Sequence, residues 1–162
     1  MTIETGSARV EAIHIAPEVG APMVSLERVR AEAGVGLEGD RYASRAGHWS
    51  DGDADRDADR DLTLIEAEVI EDLAATDEIV LAPGQTRRNI TTRGIRLNDL
   101  VGRRFRVGDV ECEGIRLCEP CQHLNDSIGQ PILRPLVHRA GLRARIRKGG
   151  EIAVGAEVAI LD

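Results

Sequence analysis

Phe105-Arg106-Val107-Gly108-Asp109-Val110-Glu111-Cys112 sets two short runs of strand-forming residues around a Gly-Asp pair. A two-residue loop with glycine first suits a type II′ turn, so the stretch is predicted to be a β-hairpin. The same rhythm continues outward in both directions. Residues 9–16 and 23–31 read as strands joined by a turn from Pro17 to Pro22. Residues 142–146 and 152–160 read as closing strands, with Gly149-Gly150 as a tight turn between them. One main helix is expected over about 64–75. Thr63 and Glu66 form a capping-box pattern, and Ile65, Val69 and Leu73 recur on one face. A helical turn is expected over 134–139. Many short strands with one main helix imply a mostly β (α+β), barrel-like fold, read as one domain over 1–162 with no linker or repeat.

Composition narrows the chemistry. The chain has 162 residues and is 42% hydrophobic, enough for a real core. Aromatics make up 2%, so that core must be aliphatic. The same scarcity argues against nucleic acid as a partner, since single strands are gripped by aromatic stacking. Residues 1–86 hold 7 Arg against 19 acids, while residues 87–162 hold 13 Arg and Lys148 against 9 acids. The cationic half offers guanidinium forks suited to phosphate or carboxylate; equally, arginine is the chain's ordinary solvating cation. No stretch approaches a membrane span, and residues 1–4 have neither a basic nor an apolar leader character. A cytoplasmic, reducing setting is expected, where a CxxC is catalytic or metal-binding rather than a structural disulfide.

That CxxC lies downstream of the hairpin, in Leu117-Cys118-Glu119-Pro120-Cys121-Gln122-His123. Pro120 favours a rigid turn over a helix interior. Three chemical readings compete. Cys112, Cys118, Cys121 and His123 have the ligand types of a tetrahedral zinc site. Cys118 and Cys121 have the spacing of a redox dithiol, which requires a strand-to-helix junction that the sequence is not read to supply. Alternatively one thiolate, activated by nearby cations, is the reactive or ligand-binding group. Against all three stands the plain possibility that these cysteines are buried small hydrophobes.

Other segments are candidates for shaping a site. Gly34 to Gly39 fits GxGxxG, but no helical period follows, so a dinucleotide loop is rejected. The acidic run from Asp51 to Asp61 places Asp55, Asp57, Asp59 and Glu66 in calcium-loop register. Arg60 occupies the position that needs glycine, and a solvated loop is the preferred reading. Arg87-Arg88-Asn89-Ile90-Thr91-Thr92 offers donors for an anionic ligand; a structural asparagine tying its own loop is nearly as good a reading.

Taken in order, GLEGDRY (36–42), RDLTLIEAE (60–68), APGQTRRNITTRGIRLNDLVGRRFRVGDV (82–110), RLCEPCQHL (116–124) and KGGEIAVGAEV (148–158) resemble the MOSC domain, named for the C-terminal part of molybdenum cofactor sulfurase. The resemblance covers nearly the whole chain. It implies a strand-rich barrel and one functional cysteine at Cys121, which would carry activated sulfur or ligate molybdenum in a pterin cofactor. Cys118 and His123 would assist. Arg87, Arg88, Asn89, Thr91, Asp40 and Arg41 would shape the pocket for the anionic ligand. Tyr42 stands where the family has histidine, and no counterpart of the reductase branch's N-terminal barrel is seen, which turns the expectation toward sulfur handling. Implied partners are a cysteine desulfurase or a molybdoenzyme. Pyridoxal phosphate is not expected within this chain, because Lys148 is its only lysine and sits beside Gly149-Gly150 in an expected turn.

Overall fold

The computed structural model describes residues 8–18, 22–40, 61–82, 84–120 and 122–161, without the side chains of His123 and Ser127. Its strands are β1 (Ala8–Ile15), β2 (Val24–Leu26), β3 (Arg28–Glu32), β4 (Gly36–Leu37), β5 (Leu62–Glu66), β6 (Ile90–Arg93), β7 (Arg104–Val107), β8 (Val110–Leu117), β9 (Leu142–Lys148), β10 (Gly150–Ala153) and β11 (Glu157–Ile160). Seven of them close a barrel in the order β1-β6-β5-β9-β8-β7-β11, and Ala8↔Val158 returns β11 to β1. Only β5 and β6 run parallel within it. Closure leaves no open edge between these strands. β2 hangs on β1, and β3, β4 and β10 make a smaller sheet.

The barrel interior is aliphatic, as the composition requires. Ile13, Leu62, Leu64, Ile90, Leu142, Ala144 and Ile146 fill it together with Phe105, the one phenylalanine in the chain. The hairpin forms as expected: Phe105 faces Cys112 across β7–β8, and Gly108 takes φ +58. A second apolar cluster lies outside the barrel. There α1 (Ala67–Thr76), α2 (Gln122–Ile128) and α3 (Leu133–Leu136) contribute Val69, Leu73, Leu124, Ile128 and Leu136.

Several expectations are corrected. Residues 62–66 are a strand, and the main helix begins at Ala67. Leu62, Thr63, Leu64 and Ile65 are all buried, the two-sided burial typical of a strand with a parallel neighbour. Glu66 is the N-cap residue but makes no side-chain cap; its Oε2 accepts from Leu97 N–H at 3.1 Å. Glu68 accepts from Gly94 N–H, and Glu71 binds Arg93. The strand expected over 23–31 breaks at Glu27, because Leu26 pairs with β1 while Val29 pairs in the small sheet. The strand expected over 152–160 is likewise two, β10 and β11. Gly149-Gly150 is no hairpin turn, because β10 pairs with β3 instead of β9.

The tightest backbone passage next to the CEPC loop is Gly141. It has φ +116, and a Cβ there would lie 2.0 Å from the Leu64 carbonyl oxygen. The Gly141 carbonyl in turn accepts from Cys118 N–H at 2.8 Å. Gly141→Ala is therefore expected to cost about 2–4 kcal/mol through strain and overpacking at the β5–β9 contact, read as a lower urea midpoint. A loss under about 0.5 kcal/mol would refute this account of the passage.

Candidate functional site

The CEPC loop leaves β8 at Leu117 and is held before it turns into α2. Cys118, 2% exposed, donates its N–H to Gly141, and its carbonyl accepts from Arg88 Nη2 at 3.2 Å. The same guanidinium gives Nε to Ala140 O at 2.9 Å and Nη1 to Thr86 O at 3.4 Å. Arg88 is thus a buried clamp across three backbone carbonyls, a use for which its planar fork is suited. Arg87 beside it is half-buried with φ +61, and that reversal lets consecutive arginines part company.

Asn89 is a tie between strands. Its Oδ1 accepts from Thr63 N–H and Thr63 Oγ1, both at 3.1 Å. Its Nδ2 donates to His14 O at 3.1 Å and to Asp40 Oδ1 at 3.4 Å. Asp40 is 2% exposed and also accepts from Ala16 N–H at 2.8 Å. Of the residues expected to shape the ligand pocket, Arg88, Asn89 and Asp40 therefore form a connected scaffold under the loop. Thr91 is buried on β6 and faces a different cavity, beside α1. Cys121, Arg41 and residues 51–60 of the acidic run lie outside the described residues, as does the His123 side chain.

Cys112 is fully buried within the barrel core, and desolvation pushes its thiol far above the ordinary range. That removes it from the four-ligand zinc reading, because a ligating sulfur must be a reachable thiolate. The loop does lead into a helix, contrary to expectation, since α2 starts at Gln122. Even so, β8 and its neighbour β9 are antiparallel, so the dithiol's βαβ setting is missing at this place.

Sequence reasoning missed one pair entirely. Glu119 accepts from His138 N–H at 2.7 Å and meets His138 Nδ1 at 2.6 Å; the first of these bonds holds its carboxyl below the ordinary range. The only advance signal was a glutamate inside the CxxC. The arginines also divide their work. Arg93 binds Glu11 and Glu71, Arg106 binds Glu157, Arg139 binds Asp72 and Arg147 binds Glu113. These side chains lace elements together rather than gather as one anion patch, and each exposed pair contributes little by itself.

Two predictions follow from the scaffold. Arg88→Met keeps much of the stem but leaves the Ala140, Thr86 and Cys118 carbonyls without this donor. It should lower stability by about 2–4 kcal/mol in urea unfolding, well beyond an exposed-arginine control such as Arg28→Met. The second concerns His14, which is 3% exposed with Nε2 unpartnered, and whose burial lowers its pKa below 6.5. Between the lowered folded value and 6.5 the unfolded chain binds the extra proton. Stability is therefore retained above that window and lost as pH falls through it. Measured from about pH 7.5 to about pH 5, the unfolding midpoint of wild type should fall relative to that of His14→Leu, which lacks the titrating group.

The comparisons agree with this architecture. The YuaD protein from Bacillus subtilis superposes with a TM-score of 0.77 at 17% identity, covering 95% of each chain. YiiM from Geobacillus stearothermophilus gives a TM-score of 0.70 at 15% identity over 96% of this chain and 75% of that one. YiiM from Escherichia coli gives 0.65 at 19% identity over 95% and 70%. At such identities the likeness establishes the fold alone. No curated protein sequence matches the chain, and no helix among the described residues is long and apolar enough to cross a membrane. The MOSC domain model matches residues 24–159, and with the closed barrel this places the chain in the MOSC domain family.

Proposed function

We propose that this chain is a sulfur-handling protein of the molybdenum-cofactor-related kind, with Cys121 as the sulfur-bearing residue. The observation that supports this most is the clamp on the CEPC loop. Cys118 is pinned through both its N–H and its carbonyl, so the residues after it leave a fixed point. A reactive group benefits when the shell behind it is rigid. Of the chain's three cysteines, Cys112 and Cys118 are buried at 0% and 2% exposure, which leaves Cys121 as the candidate.

The reaction asked of it is thiol–persulfide exchange. The Cys121 thiolate attacks the outer, sulfane sulfur of a donor persulfide, a new S–S bond forms at Cys121, and the donor's S–S bond breaks. The donor leaves as thiolate, and the transferred sulfur keeps its proton. No electrons are gained or lost overall, so the step needs only access and a thiolate. A cysteine desulfurase is the donor class that fits, with its pyridoxal phosphate on that partner.

Holding a molybdenum-pterin group within this chain asks for more, namely donors aimed at an anionic ligand. Arg88 is engaged with backbone carbonyls, and Asn89 and Asp40 with backbone and with each other, so these described residues do not fit that task. The carrier reading is accordingly preferred over cofactor-dependent reduction, and over a zinc-holding module, which has lost Cys112.

Incubation with a cysteine desulfurase and cysteine is expected to add one sulfur atom by intact mass. The adduct should disappear in Cys121→Ser and persist in Cys118→Ser. An adduct that survives Cys121→Ser, or stoichiometric zinc in the purified protein that survives the same change, would overturn the assignment.

A further inference from the structure

A cavity of about 200 Å³ opens on the outer wall of the barrel, between β1, β6, α1 and the segment that includes Leu81, Gly84 and Thr86. Its body is apolar, formed by Ala12, Ala67, Ile70, Leu81 and Ala82. Three buried polar side chains belong to its wall: His14, Thr86 and Thr91, at 3%, 5% and 8% exposure. The His14 Nε2 is buried without a hydrogen-bond partner. Thr86 Oγ1 accepts a long 3.4 Å bond from Arg88 N–H. Buried polar groups are normally paired, so an unpartnered imidazole nitrogen on a cavity wall fits a missing partner better than a structural role.

Charge at this cavity selects the ligand. Glu11 and Glu71 line it and share Arg93, which donates to Glu11 Oε1 at 2.6 Å and Oε2 at 2.9 Å. That hydrogen bonding keeps the Glu11 carboxyl below the ordinary range and hence ionised. Arg9 also approaches Glu11, at 3.9 Å, so two carboxylates face two guanidiniums and the mouth has no spare cation to hold an anion.

We infer that this cavity binds an uncharged, compact organic molecule with an apolar body and one hydrogen-bonding edge, the body against Ile70 and Leu81 and the edge toward Thr91 and His14. The space is smaller than that of drug-sized pockets, which points to a ligand of about ten non-hydrogen atoms. This inference does not rest on the sulfur chemistry proposed for Cys121.

Benzamide and benzoate are suitable probes, since they differ mainly in charge and share a ring and a polar edge. Each is titrated into ¹⁵N-labelled full-length protein near neutral pH and followed by amide chemical shifts. Benzamide should give saturable shifts centred on Ala12, His14, Ala67 and Thr91, and benzoate, whose charge would be desolvated without a spare cation to meet it, should bind at least about tenfold more weakly. Thr91→Val, which preserves shape, should weaken benzamide several-fold, and Ile70→Trp, which fills the space, should abolish the shifts. Non-saturable shifts, shifts centred elsewhere, benzoate binding as tight as benzamide, or no change in Thr91→Val would each overturn the inference. A cysteine assay is not involved, so failure here leaves the Cys121 proposal standing.

Discussion

One buried amide carries more of this fold than any other polar group. Asn89 sits just before β6 and meets β5 through Thr63, β1 through the His14 backbone, and the segment after β4 through Asp40. Its own backbone joins in, with its N–H at Thr63 and its carbonyl accepting from His14 N–H at 2.7 Å. A parallel strand pair has no hairpin to fix its register, so something else must. Here a side chain with two acceptor bonds and two donor bonds does it, using the full capacity of an amide. β5 and β6 are the only parallel pair in the barrel, and the tie stands at their shared start.

From that point the arrangement of the CEPC loop follows. Residue 89 is locked against β5, so residue 88 is delivered to a fixed place, and its guanidinium reaches Ala140, Thr86 and Cys118. The clamp closes a buried arginine over carbonyls that would otherwise be unpaired at the loop's base. Burying such a charge is costly unless it is fully hydrogen-bonded, and three carbonyl dipoles supply that compensation. This rigidity at Cys118 is what supports the sulfur-bearing role proposed for residue 121.

Much of this was legible in the sequence, and the misses have physical causes. The β7–β8 hairpin was plain because Gly-Asp permits few alternatives. Val69 and Leu73 identified α1, but Thr63 and Glu66 mimicked a cap. The residues before the helix were strand formers whose two-sided burial arises only from the parallel neighbour β6. Local propensity cannot see that neighbour. The helix α2 was overlooked although Leu124 and Ile128 stand four apart and Gly129, at φ +76, ends it; the proline at 120 drew the reading toward a turn. Strands that change sheets, at Glu27 and over residues 154–156, look continuous because both sheets ask for the same residues. Asn89 and Arg88 were singled out correctly for position, while their partners, backbone groups far apart in sequence, could only come from the fold.

The two apolar clusters explain why the loop is placed where it is. The barrel core includes Cys112 and Leu142, and the outer cluster includes Leu73, Leu124 and Ile128. Cys118 is anchored to the barrel's end, and four residues after Pro120 the chain is committed to the outer cluster at Leu124. Cys118 is held by its two backbone hydrogen bonds, and Leu124 by buried aliphatic area worth about 1.5–3 kcal/mol per large side chain. The entropy of ordering these two points is therefore lost on folding. For the sulfur-bearing role proposed for Cys121, what the barrel supplies is the constraint at Cys118 and at Leu124.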